Sequence, residues 1–572
     1  MATPEAAAQQ DPTARGPLTA RNWLKSYPPD VPADIDPAQL RSLKHLLDEA
    51  CARYGDRVAF VQMGTEMSYR QLDELTRAFA AWLQQAGFRK GDRLAIMLPN
   101  TLQYAIALFG ALRAGLIVVN TNPLYTAPEL QHQLSDSGAT AIVVLENFAH
   151  VLEPVLPHTQ LKRVLMTAVG DFLKFPKSLI VNYVVRHVRK QVPRWSIPGA
   201  ISFRQAVMAG RTAPLAPVDV GPDDMAFLQY TGGTTGVAKG AMLSHGNVSA
   251  NVLQAEAWFG EAVREPDVVI TAIPLYHVFA LVANCLCFAR LGWKDVLVIN
   301  PRDIPAFVAE LRKHPFGAIT GVNTLFNALL HAPAFLKLDF SRLKFAFGGG
   351  MAVQAAVAQR WKEVTGKVLT QGWGLTETSP IATINPMKAD FNGSIGLPIP
   401  STEVTIKDDA GKDLELGQIG EICVRGPQVM RGYWNRPDET AKVMLPGGWL
   451  RTGDVGHMDA RGFVYIEDRK KDMILVSGFN VYPNEVEAVA ASHPGVLEAA
   501  AVAQPDEHSG EVVALFVVRK DPSLTEKDVI EHSRKSLAGY KVPKHVYFRT
   551  ELPKSNVGKI LRKALREELA KA

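Results

Sequence analysis

"DRLAIMLPNTLQYAIALFGALRAGLIVVN", residues 92–120, holds two short apolar runs on either side of a longer one that closes on Arg-Ala-Gly. "DRLAIMLPN" and "LIVVN" are apolar at consecutive rather than alternate positions, the pattern of strands buried on both faces. The intervening "LQYAIALFGALRAG" is long enough for about three helical turns. Strand, helix and strand in this order make a parallel crossover, and parallel sheets are covered by helices on both faces.

The same texture extends in both directions. Upstream, Ser68 and Gln71 form a capping box, Leu72, Leu75, Phe79, Trp82 and Leu83 follow at helical spacing, and Gly87 supplies a stop. Downstream, "ATAIVVL" (139–145), "DVVITAIPLY" (267–276), "DVLVINP" (295–301) and "FGAITGVN" (316–323) read as further buried strands. From about residue 400 short strands and Gly-rich turns take over ("DDAGKDLELGQIGEICVRGP", 408–427), which predicts a small β-rich unit. After "DRKKD" (468–472) comes a compact α+β stretch: strands "LEAAAVAQ" (497–504) and "VVALFVV" (512–518), a helix over about 526–537, and a charged terminal helix in "GKILRKALREELAKA". There are no internal repeats.

At 572 residues the chain is long enough for roughly three or four structural units. Its 47% hydrophobic and 21% charged residues are those of a soluble globular protein. A net charge of +5 favours anionic ligands or an anionic membrane surface but is too diffuse for nucleic acid. Four cysteines argue against a disulfide framework and for a reducing compartment; Cys285 and Cys287 lie in an apolar run and read as core. No secretory signal is visible, and no span reaches the roughly 20 apolar residues of a membrane helix. Arg113 interrupts residues 104–119, and Arg290 ends the run that begins at Val278.

"YTGGTTGVAKGAM" (230–242) is built for an anion. Gly232, Gly233, Gly236 and Gly240 let backbone N–H groups converge, Thr231, Thr234 and Thr235 add hydroxyl donors, and Lys239 adds a mobile charge. The usual phosphate loop is excluded, because Lys239 is followed by Gly240 and not by Ser or Thr.

With "GWGLTET" (372–378), "GWLRTGDVG" (448–456), "DRKKDMILVSGFNVYPNEVE" (468–487) and "PKSNVGKI" (553–560), this loop resembles the adenylate-forming superfamily of acyl-CoA synthetases, luciferases and adenylation domains. The resemblance covers the chain from about Trp23 onward. It is nearest to bacterial long-chain fatty-acid–CoA ligases, through "NPRDIPAFVAEL", "GVNTLFNALL", "FGGGMAVQ" and "GYKVPKHVYFRTELPKSNVGKILR". It implies a large α/β N-terminal domain of two stacked, mainly parallel lobes plus the β-rich unit, and a small mobile α+β C-terminal domain. The expected division is a tail over 1–22, a large ATP- and fatty-acid-binding domain over 23–468 with its β-rich unit at about 400–468, and a mobile domain over 469–572. The hinge is expected at 468–472, with Lys471 at the pivot.

The roles that the resemblance implies fall on matching positions. The loop from Thr231 to Lys239 would grip ATP phosphates, Glu377 would hold Mg2+, and Thr376 would contact the α-phosphate. Trp373 stands where an aromatic ring, usually Tyr in relatives, stacks on adenine, with Gly348, Gly349 and Gly350 along the other face of the base. Asp454 would take the ribose hydroxyls, and Arg469 the ribose or phosphates. Lys559 would bridge the fatty-acid carboxylate and the phosphate, offsetting repulsion where charge develops. After the acyl-adenylate forms, the C-terminal domain would swing, withdrawing Lys559 and bringing Ser477, Gly478 and Phe479 to the cleft for CoA. His277 would line the acyl pocket near the thiol's entry. One long-chain relative carries an aromatic gate four residues later, where this chain has Leu281, so an indole gate is not expected.

The implied activity is ATP- and Mg2+-dependent conversion of long-chain fatty acids to acyl-CoA through acyl-AMP. A sibling that passes the acyl group to another acceptor is disfavoured, since no added segment after the hinge would block CoA. A non-catalytic lipid-binding protein on this fold would be expected to lose Lys559, Glu377 or Asp454. The stretch 171–195 joins Leu179, Ile180, Val184, Val185 and Val188 to Lys174, Lys177, Arg186, Arg189, Lys190 and Arg194, a basic amphipathic surface suited to anionic lipid. The expected location is cytoplasmic, with peripheral contact at the inner membrane. A homodimer fits the resemblance, since relatives often form dimers.

Overall fold

The computed structural model describes residues 21–231, 238–506, 508–555 and 558–570. The stretch 92–120 folds as the strand Arg93–Met97, the helix Leu102–Arg113 and the strand Ile117–Asn120. The two strands pair in parallel, with Leu94 beside Val118. Every residue of the helix is buried. Its last residue explains how a charge survives there: the Arg113 side chain is 2% exposed, 2.9 Å from Asp48 and also paired with Asp73.

These strands belong to a seven-stranded sheet, ordered in space 201–202, 163–167, 141–145, 93–97, 117–120, 225–231 and 239–244. Only its last pair is antiparallel, a hairpin in which Thr231 lies opposite Lys239. The described ends of the 230–242 motif, Thr231 and Lys239, therefore face each other on a hairpin at the sheet's edge. A second sheet has nine strands, in the order 397–398, 381–384, 369–374, 345–348, 318–321, 268–271, 294–297, 58–62 and 65–68. Its central strands are parallel and its edges antiparallel. One apolar core joins the facing sides of both sheets to the helices Leu43–Tyr54, Tyr69–Gln85 and Leu102–Arg113. The Ser68–Gln71 capping box opens the second of these, which runs to Gln85. All four cysteines are buried and free.

An antiparallel five-stranded sheet over 403–469 follows, then a second five-stranded sheet built from 474–476, 479–481, 496–506, 510–519 and 545–549. Helices Pro483–Ala491, Glu526–Arg534 and Arg562–Leu569 accompany the last sheet. The helix read over 526–537 ends at Arg534, because Ser536 and Leu537 turn back onto Ser533. The mixed α/β architecture with a small α+β C-terminal unit is thus the one expected.

Between 171 and 195 the chain is helical only over Lys177–Val188, with π-helical geometry from Val184. The apolar side chains there do not form a buried face: Phe175, Leu179, Ile180, Tyr183 and Val188 are all exposed. Among the described residues, no helix is long and apolar enough to cross a membrane.

Candidate active site

A cleft of about 1050 Å³ opens where the carboxyl ends of the parallel strands meet the C-terminal unit. Thr231, Lys239, His277, Gly349, Gly350, Trp373, Thr376, Glu377, Arg469, Lys471 and Lys559 all line it. Gly348 ends the strand just before this wall. Gly232, Gly233, Thr234, Thr235 and Gly236 lie outside the described residues.

Asp454 and Arg469 face each other across an antiparallel pair of strands, and the guanidinium lies 3.0 Å from Asp454 Oδ1. Asp454 Oδ2 accepts from the indole N–H of Trp373 at 2.9 Å. The carboxylate, 3% exposed, is therefore oriented through both oxygens, and the ring expected beside a base is tied to the group expected at a ribose. Tyr in place of Trp373 would have no indole N–H to make this link.

Thr376 and Glu377 sit on a short 3-10 turn directly after the strand Leu369–Gly374. Glu377 Oε1 accepts from the Tyr433 hydroxyl at 2.7 Å, and its carbonyl accepts from Met430 N–H at 2.8 Å. Lys239 is 2.7 Å from Glu439 and 4.6 Å above the centre of the Tyr433 ring. Sequence reasoning missed both Tyr433 and Glu439. The only local signal was a dense "RGYWNRPDE" after the β-rich turns, which reads as an ordinary loop.

Lys559 reaches the cleft on a loop that closes upon itself. Ser555 N–H donates to the Lys559 carbonyl at 2.7 Å, Lys559 N–H to Ser555 Oγ at 3.1 Å, and Leu561 N–H to the Pro553 carbonyl at 2.8 Å. Gly558 makes the docking possible. Its φ is +82°, a Cβ there would lie 2.8 Å from Thr324 Oγ1, and its carbonyl accepts from that hydroxyl at 3.1 Å. Among the described residues no carboxylate pairs with the ammonium. Loss of solvation, then the charge of Arg469, pushes Lys559 down to about 8, while Asp454 opposes the shift.

His277 is pushed down to about 4 by burial and by the Lys559 charge. Its Nδ1 accepts from Phe279 N–H at 3.3 Å, so the neutral ring carries its proton on Nε2. Leu281 is fully buried and donates its N–H to the His277 carbonyl, so it stands in the core and not in the cleft wall.

Ser477, Gly478 and Phe479 are not brought to the cleft. They form an exposed turn between the strands Ile474–Val476 and Phe479–Val481, with Phe479 stacked on Tyr540. Gly478 has φ +84° and nothing within 4 Å of where a Cβ would stand. A second cavity, of about 1240 Å³, shares Leu124, Ile273, Tyr276 and Val322 with the first and reaches Val181 and Val185 of the exposed helix. Among the described residues no cluster of three His, Cys, Asp or Glu side chains could hold a metal by itself.

The sequence family described as AMP-binding enzyme matches residues 47–434, and the AMP-binding enzyme C-terminal domain matches 485–559. The chain is 57% identical over 552 residues to a long-chain-fatty-acid–CoA ligase of Yersinia pestis, covering 96% of this chain and 98% of that protein. It is 56% identical over 549 residues to one of Escherichia coli O157:H7, with the same coverage. Among solved structures, the anthranilate CoA ligase AuaEII in complex with anthranoyl-AMP superposes with a TM-score of 0.83 at 25% identity, over 94% of this chain and 99% of that one.

Proposed function

This chain belongs to the AMP-binding enzyme family, and we propose that within it the chain is a long-chain fatty-acid–CoA ligase. It joins a fatty acid to AMP with release of pyrophosphate, then transfers the acyl group to CoA with release of AMP. The observation that carries the reading is the delivery of Lys559 from the C-terminal unit into a cleft that also presents Trp373, Thr376, Glu377 and the Asp454–Arg469 pair. The acyl class rests on nearly full-length likeness to proteins bearing that name.

ATP lies with its base between Trp373 and the Gly348–Gly350 segment, its ribose on Asp454 and Arg469, and its phosphates toward Thr376, Lys239 and the loop from Thr231. A single carboxylate fixed by Tyr433 fits Mg2+, which takes one or two protein oxygens and completes its shell with phosphate and water. When bound, the ion neutralises phosphate charge. The fatty-acid carboxylate attacks the α-phosphate, two anions that repel each other, and the Lys559 ammonium sits between them and strengthens its hold as charge develops. With no carboxylate of the described residues to compete, that charge is directed at the reactants.

The second step needs the thiol of CoA on the same carbonyl. Lys559 occupies the cleft in this arrangement and the 477–479 turn lies outside it, so we place a rotation about 468–472 between the two steps. The open space around Gly478 suits the passage of a pantetheine arm. His277, neutral and with its proton on Nε2, serves as a donor near the acyl carbonyl and not as a base for the thiol. The exposed apolar helix with its Lys and Arg fringe lies at one end of the second cavity. We assign it to peripheral contact with anionic lipid, next to a route into the cleft.

The reading is tested by measuring pyrophosphate and AMP release with straight-chain fatty acids from short to long. Long chains are expected to drive pyrophosphate release, with AMP turnover only when CoA is present. Pyrophosphate release with AMP turnover indifferent to CoA would assign a different acceptor.

A further inference from the structure

Lys239 is engaged in the structure by a partner that its assigned role does not need. The Glu439 carboxylate lies 2.7 Å from its nitrogen, and both residues line the cleft. Glu439 lies in the first turn of the helix Pro437–Val443, and its other oxygen contacts Lys442. The same segment supplies Tyr433, whose ring lies under the Lys239 ammonium and whose hydroxyl holds Glu377. Thr440, one residue beyond Glu439, accepts the Tyr433 N–H at 2.9 Å and so ties the helix to the loop. An anion, an aromatic face and the proposed Mg2+ carboxylate are therefore linked through one short segment to the lysine at the hairpin's edge.

We propose that Glu439 is a positioning residue that competes with phosphate for Lys239 and exchanges the lysine with ATP and pyrophosphate. This rests on Lys239 being an ATP-phosphate contact. On entry the phosphates displace the carboxylate, so part of the binding free energy goes into breaking an existing ion pair. On departure of pyrophosphate the carboxylate retakes the lysine, so the diphosphate leaves without stranding an uncompensated ammonium in the cleft. Both members are about 28% exposed, which keeps the exchange small: a pair of this kind shifts an equilibrium by about 2- to 5-fold. The consequence is looser ATP binding in return for easier loss of pyrophosphate.

The test compares the full-length parent enzyme with Glu439→Gln, Lys239→Ala and the double variant, reading KM for ATP and the inhibition constant of pyrophosphate with oleate at saturating Mg2+. Glu439→Gln is expected to lower both constants about 2- to 5-fold. Lys239→Ala is expected to raise both, and Glu439→Gln to add nothing on that background. Glu439→Asp, which keeps the charge, is expected to fall between the parent and Gln. Unchanged constants in Glu439→Gln, with Lys239→Ala still damaging, would overturn the exchange while leaving the role of Lys239 intact. A raised KM for ATP together with a higher Mg2+ requirement in Glu439→Gln would overturn it in favour of a metal-binding carboxylate. ATP affinity untouched by Lys239→Ala would remove its foundation as well.

Discussion

Lys559 carries a titration that should be visible in the first half-reaction. In the proposed mechanism its ammonium is the working form, and burial holds it down to about 8, so kcat/KM for pyrophosphate release without CoA is expected to fall as pH rises through that value. Bound phosphate and carboxylate favour the charged form, so the decline in kcat should lie at higher pH than that in kcat/KM. His277, neutral above about 4, should contribute no step near 6.5. Stability moves in the opposite direction to activity: the unfolded chain keeps this lysine charged up to about its ordinary 10.5, so the arrangement that buries it is penalised below pH 8 and the penalty fades between about 8 and 10.5. At Trp373, replacement by Phe would leave the ring but strand a buried acceptor on Asp454. It should raise KM for ATP by about tenfold, measured with oleate saturating. The motif residues were legible because their types are chemically demanding, glycines and threonines before a lysine or a carboxylate in "TGD". The Trp373–Asp454 and Glu377–Tyr433 bonds were not, since they join residues 81 and 56 positions apart and carry no local pattern.

At the level of elements, the helix Arg562–Leu569 does more than end the chain. Arg562 donates to Asp468 at 3.0 Å and to Glu487 at 2.8 Å, and Arg566 donates to Asp472 at 2.9 Å. Both ends of the 468–472 segment are thereby clamped to the helix that follows Lys559. Arg562→Lys cannot keep the forked geometry. It should slow acyl-AMP formation by about tenfold or more through misplacement of the lysine, while AMP release from preformed oleoyl-AMP and CoA changes far less. An equal loss in both half-reactions would mark a merely structural role. The exposed helix over Lys177–Val188 should matter elsewhere: Leu179→Ser with Ile180→Ser is expected to reduce co-sedimentation with vesicles rich in anionic lipid and to leave turnover of micellar oleate near the parent value. The buried strand Ala141–Leu145 was plain in the sequence because it is apolar at every position and ends at Glu146. The amphipathic stretch 171–195 was less so: its spacing permits a buried face, and only the fold shows Leu179, Ile180 and Val188 facing outward.

For the molecule as a whole, two sheets share one core, and the C-terminal unit meets them in part through polar contacts of the Lys559 loop. The Gly558 carbonyl receives the Thr324 hydroxyl, and the Ser555 carbonyl receives the Arg302 guanidinium at 3.4 Å. Polar contacts of this kind are compatible with the proposed departure and return of the unit. The parallel sheets could be read from periodicity, and the β-rich unit and the small α+β unit from the changes of texture near residue 400 and after 468–472. Their meeting at one cleft could not, because it depends on a glycine with φ +82° and on pairing between distant strands. The most direct test of the two-arrangement mechanism is Lys559→Ala, assayed in each half-reaction separately. Pyrophosphate release with oleate and ATP should fall by about 10²- to 10³-fold, while CoA-dependent AMP release from preformed oleoyl-AMP stays near the parent rate. Equal losses in both halves, or an unimpaired first half, would contradict the mechanism.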